Sequence, residues 1–121
     1  MKEAKELKGI LFVCVTSHDS DTSEAMVKYR IKTLEMYCAK NQIGIIHSYI
    51  IEGANRTFEK DILPQLQNDK ELTMQADFLL MHDLQEISFY LAPALTLALK
   101  VNMLGIKPML IRDFAVSIHR Y

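Results

Sequence analysis

Gly9-Ile10-Leu11-Phe12-Val13-Cys14-Val15-Thr16-Ser17-His18-Asp19-Ser20-Asp21 is the stretch on which the reading of the whole chain depends. Its first half is a continuous apolar run rich in β-branched and aromatic residues, too short to span a membrane. Its second half changes abruptly to hydroxyls and carboxylates. Such a run predicts a strand buried on both faces, as in the middle of a parallel sheet. The polar residues then fall at its carboxyl end, where open α/β sheets gather ligands and reactive groups. Thr16 and Ser17 are therefore the first candidates for a chemical centre.

Outward from this strand the pattern alternates. Thr22 or Ser23 followed by Glu24 suits a helix start. Positions 25–40 then place Met26, Val27, Ile31, Leu34, Tyr37 and Cys38 near helical spacing. Lys28, Arg30 and Lys32 read as the wet face of that helix. Positions 43–51 predict a second strand and 52–57 a turn-rich connection. Weak helical spacing over 58–72 puts Ile62, Leu63 and Leu66 on one face, with Pro64 suited to a first turn. Asp77-Phe78-Leu79-Leu80-Met81-His82-Asp83 is another buried-strand pattern. The strongly apolar stretch 87–101 predicts a helix, in which Pro93 marks a kink or a late start. Gly105 stops that helix, and 108–112 reads as a last strand; 112–121 carries no clear pattern. The alternation predicts an α/β fold of three layers, a mostly parallel central sheet flanked by helices.

The totals narrow the function. A chain of 121 residues suits a single domain that can bury a core without disulfides. With 50% hydrophobic and 24% charged residues it is not a disordered segment. A net charge of -1 and a pI of about 6.4 speak against strong autonomous nucleic-acid binding, which draws on a basic face. Cys14 and Cys38 sit inside apolar patterns and read as reduced, buried residues of a cytoplasmic protein. The charged start Met1-Lys2-Glu3-Ala4-Lys5-Glu6 has no apolar signal core, and no stretch reaches the roughly 18 apolar residues of a membrane helix. No membrane association is expected.

Four glycines, at 9, 44, 53 and 105, form no phosphate-cradling loop. No Cys or His spacing matches a zinc site, so neither cofactor nor metal is expected. His18-Asp19 and His82-Asp83 both follow buried strands and could meet at the sheet edge to hold a metal or shuttle protons. Polar loop residues without a ligand are the favoured reading of both. Asp19, Asp21 and Asp83 are similar to the acidic cluster of a phosphorylated receiver domain. The lysine such a domain needs after its last strand is missing: Lys107 precedes that strand and Arg112 follows it. Ser17, His82 and Asp83 supply the residue types of a nucleophilic triad without the glycine-flanked turn that would present the serine.

The spacing as a whole resembles the catalytic domain of the serine site-specific recombinases, the resolvase and invertase family, over about 8–114. The family's first strand ends Tyr-x-Arg-Val-Ser, followed by an acidic polar loop and a helix leading to Leu-x-x-Tyr-Cys or Leu-x-x-Tyr-Ala. Those places here hold Phe12-Val13-Cys14-Val15-Thr16, the loop 18–21, and Leu34-Glu35-Met36-Tyr37-Cys38-Ala39. The family's Tyr-x-Asp-x-Gly-x-Ser-Gly is similar to Tyr49-Ile50-Ile51-Glu52-Gly53-Ala54-Asn55-Arg56. Its Phe-Glu-Lys-Arg-Pro-x-Leu is similar to Phe58-Glu59-Lys60-Asp61-Ile62-Leu63. Its Asp-x-Leu-Leu-Val-x-x-Leu-Asp-Arg-Leu-Ser-Arg is similar to the segment from Asp77 to Phe89.

The resemblance implies a serine that attacks a DNA phosphodiester while arginines steady the phosphoryl oxygens, on which charge grows in the transition state. Carried over by position, the serine falls on Thr16, or on Ser17 if the register shifts by one. The arginine positions fall on Cys14, Asp61, Glu86 and Phe89. All are lost, and two have become carboxylates that repel phosphate. Arg56 is the one nearby stand-in for a phosphate contact. Counterparts of the family's long dimer-forming helix and helix-turn-helix DNA-binding segment are not expected in this chain. The resulting expectation is a recombinase-like domain without functional catalytic residues, acting as a homodimer or with a protein partner and binding DNA weakly. The apolar helix 87–101, Leu104 and Phe114-Ala115-Val116-Ser117-Ile118 are the candidate interface. Two alternatives remain: residual DNA phosphoryl transfer using Thr16 or Ser17 with Arg56, and a receiver-like or small-ligand module.

Overall fold

The computed structural model describes residues 6–16, 20–53 and 56–111. Ser17, His18, Asp19, the side chain of Asp21 and the tail 112–121 lie outside the described residues, so the readings that rest on them stay as stated above. The chain runs β1 (Leu7–Val15), α1 (Ser20–Lys40), β2 (Ile43–Glu52), a π-helical turn (Phe58–Ile62), α2 (Leu63–Asn68), α3 (Lys70–Gln75) and β3 (Phe78–Met81). A 3-10 turn (Leu84–Glu86), α4 (Leu91–Met103) and β4 (Lys107–Leu110) follow. The four strands form one sheet in the order β2-β1-β3-β4, with every pairing parallel. β1 is central, as its unbroken apolar sequence predicts.

Alternation along β1 divides the core between the two faces of the sheet. Ile10 and Phe12 join Leu79, Met81, Ile51, Phe58, Leu66, Leu97 and Val101 under the π-helical turn, α2 and α4. Leu11, Val13 and Val15, with Leu80, pack against Val27, Leu34 and Cys38 of α1. The Phe12 and Phe58 rings meet edge to face, their centroids 5.1 Å apart, and fasten the connection after β2 onto the first face. Gly9 lies where β1 is hemmed in by β2 on one side and β3 on the other: a Cβ there would sit 2.5 Å from Leu80 Cδ1 and 3.0 Å from Ile43 Cγ2. No helix among the described residues is long and apolar enough to cross a membrane.

Several boundaries differ from the sequence expectation, each for a local reason. α1 starts at Ser20, earlier than Thr22 or Ser23. The region 58–72 is not one helix. Thr57 caps the π-helical turn through its hydroxyl, which accepts from the Lys60 N–H, and Leu63 N–H closes that turn on Phe58 C=O. Pro64, which has no N–H, then stands in the first turn of α2. Asp69 ends α2 and caps α3 by accepting from Leu72 N–H at 3.0 Å. α4 begins at Leu91, so Pro93 marks a late start and not a kink. β2 pairs with β1 through an irregularity, Gly9 opposite Ile45 but Ile10 opposite His47. That extra residue flips the alternation: Ile43 faces the α1 side, whereas Tyr49 and Ile51 face the other.

Candidate functional site

β1 extends well past the end of β3, whose pairing with it covers Gly9, Ile10 and Leu11. A strand residue sends its N–H and C=O to the same side, so Cys14 points both toward ground that β3 no longer occupies. Side chains from distant parts of the chain take over there. The Cys14 N–H donates to Glu86 Oε2 at 2.8 Å, and Arg30 Nη1 donates to Cys14 C=O at 2.9 Å. Arg30 and Glu86 are themselves 3.4 Å apart, their side chains 22% and 3% exposed. The other carboxylate oxygen, Oε1, accepts from His82 N–H at 2.8 Å and Asp83 N–H at 3.3 Å.

Glu86 is placed by the turn after β3. Asp83 starts that turn with its carboxylate accepting from Gln85 N–H, and Glu86 answers as the third residue of a capping box. Its burial raises the carboxyl above the ordinary value of 4.5, against the pull of its N–H donors and of Arg30. Burial, then the Glu86 charge, raises the Cys14 thiol as well, and Arg30 offsets only part of this. Cys14 is thus kept as a neutral thiol, unsuited to nucleophilic work.

The arrangement corrects the reading of Arg30 as part of a wet basic face. Lys28 and Lys32 are exposed, with Lys28 paired to Glu24 at 3.3 Å one turn away. Arg30, by contrast, turns inward to the carboxyl edge of the sheet. A signal for this was present: position 30 lies three residues after buried Val27 and four before buried Leu34, on the core-facing stripe of α1.

A cavity of about 690 Å³ opens over the same edge, lined by Cys14, Thr16, Arg30, Arg56, His82 and Glu86 among others. Thr16 is exposed at the tip of β1. Gly53, at a φ of 95°, donates its N–H to Val15 C=O at 2.9 Å and turns the chain back over this edge. Arg56 also reaches the cavity, half-exposed, with Nε 3.9 Å from Asp61 Oδ1. Asp61 is held in turn by Thr57 N–H, which donates to its Oδ2 at 2.7 Å. The structure therefore gathers Thr16, Cys14, Arg56, His82, Asp83, Glu86 and Phe89 around one cavity. Both carboxylates that stand at lost arginine positions, Glu86 and Asp61, are paired with arginines. Asp83 of the receiver-like cluster is engaged as a cap.

No protein-family model and no curated protein matches the sequence. Solved structures do match the fold. A resolvase family site-specific recombinase from Streptococcus pneumoniae superposes with a TM-score of 0.72 at 13% identity, covering 88% of this chain and 73% of that one. The N-terminal catalytic domain of TP901-1 integrase gives 0.69 at 19% identity, with 88% and 78% covered. The C-terminal catalytic domain of ISC1926 TnpA, an IS607-like serine recombinase, gives 0.69 at 14%, with 87% and 67% covered. The chain has the fold of a serine recombinase catalytic domain.

Proposed function

We propose that this chain is a recombinase-fold domain that has lost strand exchange and works in the cytoplasm by association, in the first instance with a second copy of itself. The observation that carries the reading is the outer face of α4. Ala94, Leu97 and Val101 enter the core, while Leu91, Leu95, Leu99 and Met103, spaced one turn apart, stand 47–84% exposed in a single row. Exposed Phe89 and Tyr90 extend the row before the helix begins. A row of this kind, broken by no acidic side chain, is complementary to itself about a two-fold axis and offers no charge pattern for choosing a different partner. The loss of activity is supported by the edge of β1, where a carboxylate stands beside the arginine that a phosphate would need.

Sedimentation at tens of micromolar tests association. A dimer that Leu95→Glu or Leu99→Glu returns to monomer supports the reading, and a wild-type monomer removes it. Fluorescence anisotropy on the same sample is expected to find DNA binding no tighter than roughly the non-specific micromolar range.

A second reading, residual DNA phosphoryl transfer, is favoured by one observation: Thr16 and half-exposed Arg56 line the same cavity. It requires covalent capture of the chain on a nicked DNA site, abolished by Thr16→Ala combined with Ser17→Ala. An intact DNA substrate and no covalent adduct dispose of it.

A further inference from the structure

The Glu86 carboxylate is held as a bound anion would be. Its two oxygens take three main-chain N–H groups and lie beside one guanidinium, and its side chain is 3% exposed. Burying a carboxylate costs several kcal/mol unless nearby donors replace its water, and here three N–H groups and a guanidinium replace part of it, although burial still leaves the carboxyl raised. Only part of this arrangement is explained by the local turn. The capping box accounts for the Asp83 N–H, and the His82 N–H, four residues before Glu86, belongs to the same local turn. It does not account for Cys14 N–H, 72 residues away, or for Arg30, which arrives from a helix on the other face of the sheet. The donors converge from the end of β1, the end of β3 and the middle of α1. Convergence of main-chain N–H groups with an arginine fork is the makeup of an oxyanion site.

We propose that the carboxyl edge of this sheet is an oxyanion-binding cradle for a small carboxylate or phosphate, and that Glu86 occupies it as an internal ligand. In the intact chain the cradle is full, and a free anion finds no place there. Truncating Glu86 to alanine removes the carboxylate and the methylene next to it, a fragment the size of acetate, and leaves the donors in position. The inference goes beyond the association reading and does not depend on it, because it concerns a different part of the molecule and holds whether or not the chain dimerises or cuts DNA.

The test uses the full chain at constant ionic strength, with chloride as the reference anion and acetate and inorganic phosphate as probes. Glu86→Ala is expected to gain a saturable rise in melting temperature on the order of 5 °C with acetate, phosphate or both. The amide resonances of Cys14, His82 and Asp83 should shift along the same titration. The wild type should show neither response, and Glu86→Ala combined with Arg30→Met should lose most of the gain. If Glu86→Ala does not fold in chloride, the cradle requires that acetate or phosphate restore folding. The proposal is overturned if neither anion shifts those amides or restores folding, or if the wild type responds as the variant does.

Discussion

Arg30 Nη1 lies 3.4 Å from Glu86 Oε2, and the same nitrogen donates to the Cys14 carbonyl at 2.9 Å while Oε2 accepts from the Cys14 N–H. One ion pair therefore completes both main-chain groups of a residue that has outrun its neighbouring strand. The pair is structural in effect: it closes the end of β1 where a third strand would otherwise be needed.

Breaking that pair on one side leaves a carboxylate buried without its cation. Arg30→Met is expected to cost about 3 kcal/mol, measured by urea denaturation. Glu86→Gln added to Arg30→Met should recover part of the loss, because no uncompensated charge then remains. Equal and additive losses in the two single variants would show that the residues do not interact.

The raised Glu86 carboxyl gives a pH dependence with a definite sign. The folded value lies above the ordinary 4.5, so the folded chain holds this proton more tightly than the unfolded chain does. Its contribution is complete below about 4.5 and is lost as pH rises through the folded value. Melting temperatures of wild type and Glu86→Gln, compared from pH 4 to 7, should therefore diverge as pH rises, with the wild type falling relative to the glutamine variant.

Cys38 lies on the buried face of α1, and burial, reinforced by the Glu35 charge, pushes its thiol up from 9.0 to about 11. The folded thiol again holds its proton the more tightly, so the contribution is complete below 9.0 and is lost as pH rises to about 11. Iodoacetamide at mildly alkaline pH should label Cys38 in the folded chain far more slowly than in urea. Equal labelling rates would count against this burial.

Gly9 leaves room for Leu80 and Ile43 at the crowded centre of the sheet. Gly9→Ala should cost about 1–3 kcal/mol through overpacking, and Gly9→Val more. Thermal melts of both variants check the order. A stabilising alanine would mean that Leu80 can move aside, which its full burial opposes.

Two leucines on α4 should behave oppositely although two positions apart. Leu97 is 4% exposed and Leu99 63%. Leu97→Ala is expected to cost about 2–5 kcal/mol as a core truncation, whereas Leu99→Ala should stay within about 0.5 kcal/mol of the wild-type monomer. If Leu99→Ala weakens the chain only at concentrations where it self-associates, the outer face of α4 is the interface.

Most of the architecture was legible in the sequence because it rests on local signals. The unbroken run in β1 required burial on both sides. The strand and helix order required parallel pairing, and Gly105, at a φ of 89°, ended α4 where expected. Errors came where a cap or a proline divided a weak pattern, as Pro64 and Asp69 do in 58–72. The apolar character of α4 was visible, but its division into a buried row and an exposed row depends on where the sheet lies.

The sequence by itself determined the layers, the central strand and the neutral, cysteine-poor character of the chain, since these follow from hydrophobic period and composition. Tertiary structure alone decided the partners at the edge of β1. Arg30 and Glu86 are 56 residues apart in the chain, and no local propensity links them. They meet because β1 outlasts β3 and leaves unpaired main-chain groups at Cys14, and a buried polar group must find a partner wherever the fold brings one.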